Sequence, residues 1–375
     1  VSKFVFLLIA GLFCLGNFYI GRKVIFVLSQ LTSVKLDGAV WLIIGLCTLA
    51  SMAALLLAEM NVSGIIGKIG SYWLSLWLLA LVVFGLTELF LKITGKLTLL
   101  CAQFTLGSWL MAIAVVLVLF GYGSWQAQQL RVKKYQVTLA SDSNATQKLK
   151  AVLISDVHLG YVNDAKKLTK IVTKINALKP DVVFISGDLF DGNFQALQQP
   201  EQIKKQFNRL SSTYGTYMCW GNHDAGSTFQ KMKELVESSD ITLLEDELTV
   251  VGQSLIVAGR KDTQPIGAQG GRRKELKKKL QHLDTRLPKI VLDHQPSTID
   301  EYDDPAMLIL AGHTHKGQIF PFSLVTRAYF TVDYGYYRKD SASPQVIVSS
   351  GVGTWGPPLR IGTQSEIVQI DLTIE

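Results

Sequence analysis

Five of the six histidines in this 375-residue chain, His158, His223, His294, His313 and His315, stand directly after short runs of apolar, β-branched residues. Asp156, Asp188 and Asn222 occupy the same kind of position. Histidines placed only for packing or solubility would be scattered. The sixth, His282, does fall elsewhere, in a Lys/Arg-rich stretch where a surface position is expected. Imidazoles gathered with carboxylates suit Mn, Fe or Zn better than Mg or Ca. A lone catalytic zinc takes about three protein ligands, so this set is too large for one ion and fits two divalent metal ions, Mn first and Fe or Zn as alternatives. Two cations bridged by a carboxylate can hold a phosphate and generate hydroxide near neutral pH.

The placement has a structural cause. Lys148–Ser155, Asp181–Ser186, Tyr214–Trp220, Lys289–Asp293 and Met307–Ala311 read as buried strands, with helical stretches at Asp164–Leu178 and Pro200–Leu210 between the first three. Loops at the C-terminal ends of such strands are where α/β folds gather their sites. Four later runs, Glu247–Val251, Ser254–Ala258, Gln345–Ser349 and Glu366–Ile374, lack helices between several of them and predict a second, more antiparallel sheet.

Everything before about Tyr122 has a different composition, mostly Leu, Ile, Val, Ala, Phe, Gly and Trp. A span needs about 20 apolar residues to cross the hydrocarbon core. Lys3–Tyr19, Ala39–Ala58, Ser71–Leu91 and Leu97–Tyr122 qualify, the first continuing past Arg22 as an interfacial turn. A cleaved signal peptide is the rival for the first, but no small-x-small cleavage site follows it. Tyr72, Trp73, Tyr122 and Trp125 stand at span ends, where the headgroup region favours aromatics. The expected organisation is a multi-pass membrane region over 1–125, a linker and lead-in strand over 126–147 with the linker near Ser141–Thr146, and a catalytic domain over 148–375. Basic residues nearly balance across the spans. Discounting Arg131, Lys133 and Lys134 as strand residues tips the catalytic domain outside the cytoplasm. Glu88, inside the third span, reads as an i,i+4 partner of Lys92. The net charge of +7 is explained by a membrane surface without invoking nucleic acid. Cys14, Cys47, Cys101 and Cys219 have neither disulfide-framework nor zinc-knuckle spacing.

The blocks Asp156-x-His158, Gly187-Asp188-x-x-Asp191, Gly221-Asn222-His223-Asp224, His294 and Gly312-His313-x-His315, in that order, resemble the calcineurin-like metallophosphoesterases. The likeness covers about Lys148 to Ile374. The phrases SDVHLG, SGDLFDG, LDHQP, GHTHKGQIFPF and SSGVGTWGPPLR are similar to a membrane-tethered bacterial branch with single-pass and multi-pass members. The resemblance implies an α/β fold, a four-layer αββα sandwich preceded by a bundle of transmembrane helices. It implies one metal on Asp156, His158 and His315, a second on Asn222, His294 and His313, and Asp188 bridging them. His223 would stand over the phosphate and protonate the leaving oxygen, Asp224 would orient His223, and Asp191 would fix a ligand by hydrogen bonding. Lys316 departs from the branch, which carries Gly there, and offers a further phosphate contact or a narrower pocket.

The activity expected is hydrolysis of a phosphodiester or pyrophosphate bond by a metal-bridging hydroxide, in a lipid-linked substrate at the bilayer; the resemblance makes a UDP-diacylglucosamine type of lipid one candidate, provided the domain is cytoplasmic. The alternative is a broad phosphodiesterase on soluble or cell-wall substrates with the spans as a tether only. A transporter or sensor lacks buried charges for a path, and a nuclease lacks the basic, base-stacking groove. Two segments stay open. Gly270–Leu283 is a basic helix, either solvated or docked through Lys277, Lys278 and Lys279 on anionic headgroups. Phe320–Lys339 is an aromatic-rich stretch, either a flap that grips a lipid or a packed β-hairpin, with Trp355 and Arg360 on the same rim.

Overall fold

The computed structural model describes residues 3–56, 64–97, 102–141, 146–265, 273 and 287–375. The chain divides into two compact units, residues 1–125 with 356–359 and residues 126–355 with 360–375.

Four helices make the first unit: α1 (Lys3–Leu31), α2 (Asp37–Leu56), α3 (Gly64–Leu97) and α4 (Ala102–Gln128). All four are long and apolar enough to cross a membrane, and they carry large apolar side chains outward as well as inward, the pattern of helices solvated by lipid. Two of them are longer than their apolar runs predict. α1 does not turn near Tyr19, because its charge is neutralised within the bundle: Lys23 Nζ lies 3.0 Å from Glu88 Oε2 and 4.7 Å from the Trp109 ring centroid. Tyr19 Oη donates to the same Glu88 oxygen at 2.8 Å. The i,i+4 pair with Lys92 exists at 3.4 Å, but the contact to another helix is the closer one. α3 begins at Gly64 rather than Ser71. Small residues set the spacing of α2 and α3. A side chain at Gly70 would lie 2.8 Å from the Ala50 carbonyl oxygen, and Ser51 Oγ donates to Gly70 O across the same gap at 3.0 Å.

The second unit is an αββα sandwich. Its first sheet takes strands β1 (Leu130–Leu139), β2 (Gln147–Ile154), β3 (Val182–Ser186), β4 (Thr216–Cys219), β5 (Ile241–Leu243) and β12 (Ser365–Ile374), in the order β1-β12-β2-β3-β4-β5. Helices α5 (Ala165–Ala177), α6 (Pro200–Phe207) and α7 (Phe229–Glu237) connect its parallel strands. Asp164 caps α5 by accepting from Lys166 N and Lys167 N. The second sheet has β6 (Glu247–Val251), β7 (Leu255–Gly259), β8 (Lys289–Leu292), β9 (Met307–Ala311), β10 (Gly335–Tyr337) and β11 (Gln345–Val348), in the order β10-β11-β9-β8-β7-β6. A further helix, α8 (Phe322–Tyr329), precedes β10.

The second sheet is the more antiparallel one, with two antiparallel pairings against one in the first. Its centre, β7, β8, β9 and β11, is parallel, and only the edges β6 and β10 run antiparallel. The turn between β6 and β7 is too short for a crossover, so that pair must be a hairpin. β12 joins the first sheet instead, antiparallel to β2 and parallel to β1. Arg131, Lys133 and Lys134 lie in β1, as the discounting of their charge supposes.

Three apolar layers hold the sandwich. Leu153, Phe184, Leu292, Leu310 and Ile347 fill the space between the sheets. Ile171, Ile175, Phe207 and Met232 seal the helices on the first sheet, and Val291, Ile309 and Val348 cover the outer face of the second. Buried cations, Lys167 among them, interrupt this. Lys167 Nζ donates to Ala127 O at 2.9 Å, and burial first, then the charges of Arg360 and Lys170, push its pKa down from 10.5 to about 7. The folded value lies below the unfolded one, so between about pH 7 and 10.4 the unfolded chain holds the extra proton and stability rises with pH, by up to about 4 kcal/mol from this group. Thermal unfolding of the full chain at pH 7 and near pH 10 should therefore show a gain in stability that Lys167→Met lacks; parallel pH profiles for the two proteins would contradict it.

His282, the residues Lys277, Lys278 and Lys279, and most of the expected linker (142–145) lie outside the described residues. Of the basic stretch only Arg273 is described. Its Nη2 is turned into the domain, 2.5 Å from Asp293 Oδ2 and 3.1 Å from Tyr302 Oη.

Candidate metal centre

The loops following β2, β3, β4, β8 and β9 meet because these strands run parallel within each sheet. Backbone bonds knit the loops together: Asp156 N to Gly187 O at 3.1 Å, His158 N to Asp188 O at 3.0 Å, and Gly312 N to His294 O at 3.0 Å. Ser186 Oγ donates to Leu310 O and ties one sheet to the other. Asp156, His158, Asp188, His313 and His315 all have left-handed backbones, with φ between 48° and 70°. Side chains other than Gly rarely adopt that conformation, and such strain collects where function requires it. Here it turns five chemistry-bearing side chains toward one point.

The ligand atoms form two facing sets. In one, His158 Nε2 lies 3.1 Å from His315 Nε2, and Asp156 Oδ1 is 3.4 Å from His315 Nε2. In the other, Asp188, His294 and His313 bring one ligand atom each to within 4.8 Å of one another. Asp188 Oδ2 is shared, 3.6 Å from His158 Nε2 and 3.1 Å from His294 Nε2. Asn222 Oδ1 stands against His313 Nδ1 at 2.8 Å.

Hydrogen bonds decide which nitrogens face inward. His158 Nδ1 donates to Asp191 Oδ1 at 3.2 Å, and His294 Nδ1 to Ser186 O at 2.8 Å. Each partner oxygen can only accept, so each Nδ1 carries the proton and each Nε2 presents its lone pair. His294 Nε2 has no hydrogen-bond partner although a carboxylate oxygen is 3.1 Å away. Acceptors facing acceptors in a buried site repel unless a proton or a metal cation lies between them, and outer carboxylates and carbonyls holding Nδ1–H are what metal-ligating imidazoles use. The residues therefore fit two cations. The electrostatics agree. Burial alone would lower the His294 pKa, yet Asp188, Asp156 and Asp262 hold it well above its ordinary value. Burial alone would raise that of Asp188, yet His294, His158 and His223 hold it well below the usual carboxylate range. Burial and the charge of His294 push His313 down to about 3. The carboxylates thus make the site attract positive charge, a proton on His294 or a metal cation in its place, while Asp188 and His313 stay in their deprotonated, metal-binding forms.

Residues 149–317 match the calcineurin-like phosphoesterase family. A metallophosphoesterase of Helicobacter pylori strain J99 is 32% identical over 273 residues, covering 70% of this chain and 70% of its own length. This chain belongs to that family. A Campylobacter jejuni metallophosphoesterase is 34% identical over 61% of the chain and 60% of its own length. A zebrafish (Danio rerio) transmembrane protein with a metallophosphoesterase domain is 31% identical over 70% of the chain and 62% of its own.

Other residues of this phosphoesterase sit differently from their sequence expectation. Asp224 does not reach the His223 ring. Its carboxylate accepts from Phe190 N at 2.7 Å, Gly221 N at 3.0 Å and Leu189 N at 3.2 Å. Amides at the ends of β3 and β4 outcompete an imidazole for a fully buried acceptor, so Asp224 holds the two loops together rather than one side chain. Arg360 is not on a rim. It is fully buried, with Nη2 donating to Ser350 O at 2.7 Å, Gly353 O at 2.8 Å and Gly351 O at 3.2 Å. Those carbonyls belong to the loop that bonds back to Ser155 and Asp156. Lys316 spends its ammonium on the Tyr334 ring, 4.0 Å from the centroid. Trp355 is half exposed with its ring 5.8 Å from that of His223. Asn163 had no signal separating it from an ordinary turn residue. It is buried, and its Nδ2 donates to His158 O and Thr354 O, both at 3.1 Å.

Proposed function

We propose that this protein, a metal-dependent phosphoesterase of the membrane-tethered branch, hydrolyses a phosphodiester or pyrophosphate bond in a lipid-linked substrate at the bilayer surface. The observation that carries the two-metal chemistry is the place of Asp188, whose Oδ2 is within 3.6 Å of a ligand nitrogen from each set. Asp156, His158 and His315 would hold one ion, Asn222, His294 and His313 the other, and Asp188 would bridge them. When bound, two such ions, Mn most suited to this mixed nitrogen and oxygen set, neutralise the phosphoryl oxygens and supply a nucleophilic hydroxide. The chain's own residues do the rest. Asp191 keeps the His158 tautomer, and Ser186 O does the same for His294. His223, adjacent to both sets, would stabilise the transition state and protonate the departing oxygen.

The lipid part rests on the four membrane-crossing helices, which keep the domain at the bilayer, where a lipid headgroup is the abundant phosphoester. The test uses the purified full chain with Mn²⁺ and a panel of membrane lipids plus UDP-diacylglucosamine, followed by mass spectrometry, with Asp188→Asn as blank. Loss of one lipid only with intact Asp188 is the expected result, and the product identifies the bond cleaved. Cleavage of a soluble diester with every lipid untouched would end the lipid reading and leave the helices a tether.

A further inference from the structure

Helix α8 is inside out. Soluble helices turn their apolar stripe toward the core. Here Ser323 and Thr326, three residues apart, face the domain: Thr326 Oγ1 donates to Asp333 Oδ2 at 3.1 Å, and the Ser323 backbone lies directly over Gly317. No residue of the helix is buried. Phe322, Leu324, Val325 and Tyr329 are 51–78% exposed, and Phe320 just before them is 59% exposed. With Trp355, 52% exposed and pinned through two 2.9 Å bonds to Gln318, they make a large apolar patch, which monomeric soluble proteins rarely leave to water. Both ends of α8 are fastened to the candidate centre. It begins five residues after Gly317 of the His315 turn, and Phe330, which follows it, packs its ring 5.9 Å from that of His313.

We infer that this patch is a bilayer-docking surface that rests among acyl chains while the phosphoester of a membrane lipid enters the centre beside it; this deepens the lipid reading above and rests on it. Three observations select a bilayer as the occupant. The same chain carries four helices able to cross one. The segment 320–339 holds three cations, Arg327, Arg338 and Lys339, against one carboxylate, Asp333, and that carboxylate is committed to Thr326. A short helix with aromatic and aliphatic side chains on one face and basic residues beside them is the composition of interfacial helices on anionic lipid.

The test uses the full chain in nanodiscs of phosphatidylcholine and phosphatidylglycerol. For Leu324→Glu and Val325→Glu, the ratio of phosphatidylglycerol turnover to turnover of soluble bis(p-nitrophenyl) phosphate should fall about tenfold or more, the change expected from withdrawing one apolar side chain from lipid. An unchanged ratio overturns the inference. Independently, an environment-sensitive fluorophore on Val325→Cys should show blue-shifted emission and quenching by doxyl-labelled lipid. Water-like, unquenched emission overturns docking. A protein that cleaves the soluble diester but no phosphatidylglycerol removes the substrate reading for that lipid, and the quenching result then decides docking by itself.

Discussion

Asp188→Asn should abolish phosphodiester hydrolysis, lowering kcat/KM by about 10³-fold or more, or about 4 kcal/mol of transition-state stabilisation. The substitution is nearly isosteric, and the Asp188 side chain also accepts from His223 N at 2.7 Å through Oδ1, a bond that an amide oxygen retains. The fold should therefore survive. What is lost is the negative charge that both ligand sets share. An amide placed there presents either a neutral oxygen or an NH₂ group, and His158 Nε2 and His294 Nε2 then face no anion able to bridge two cations. Metal analysis of the purified variant should give at most one tightly held ion per chain, with an unchanged circular dichroism spectrum. Two retained ions together with wild-type turnover would refute the bridging role.

The ligand positions were legible because each depends on a local rule. A short β-branched run must be a buried strand, and the residue after its last hydrogen-bonded position must leave the sheet. When His or Asp follows five such runs, convergence is forced by parallel pairing, and the strand from Met307 to Ala311 was readable to the residue. The loop contacts of Asp224 and Arg360 were not legible. A carboxylate beside a histidine suggests an imidazole partner, but burial gave this one three backbone amides. An arginine in a Pro/Gly-rich stretch suggests solvent, but five donors in a rigid fork match a cluster of loop carbonyls. The partition of the sheets was hidden for a related reason. β12 lies far along the chain from β1 and β2, and pairing over that separation leaves no local trace. Helix α8 escaped because its apolar residues point outward. Of the two readings left open for residues 320–339, a lipid-gripping flap or a packed hairpin, the exposed apolar residues of α8 speak against the packed hairpin.

His223 separates the chemistry of the leaving group from the metals. It is half-buried, its backbone is fixed on Asp188, and its ring is 5.0 Å from that of His158. It also lies within 4.8 Å of His158 and Asp191 in a third group of possible ligands. His158 meets Asp191 through Nδ1 at 3.2 Å, whereas its Nε2 faces the ion set. Geometry thus argues for His223 as a group that touches substrate and against its being a ligand. Burial, assisted by the charges of His158 and His294, lowers its pKa although Asp188 opposes them, so an arriving phosphate dianion or monoanion would favour its protonated form. His223→Gln should keep both metals. It should slow cleavage of an alkyl diester by about 10²–10⁴-fold, the usual contribution of general acid catalysis, and slow a p-nitrophenyl diester far less, because p-nitrophenolate departs without a proton. Comparable losses on both substrates would make His223 a stabiliser of phosphoryl charge and not a proton donor. Loss of a metal ion would return it to the ligand set and move Asp191 with it.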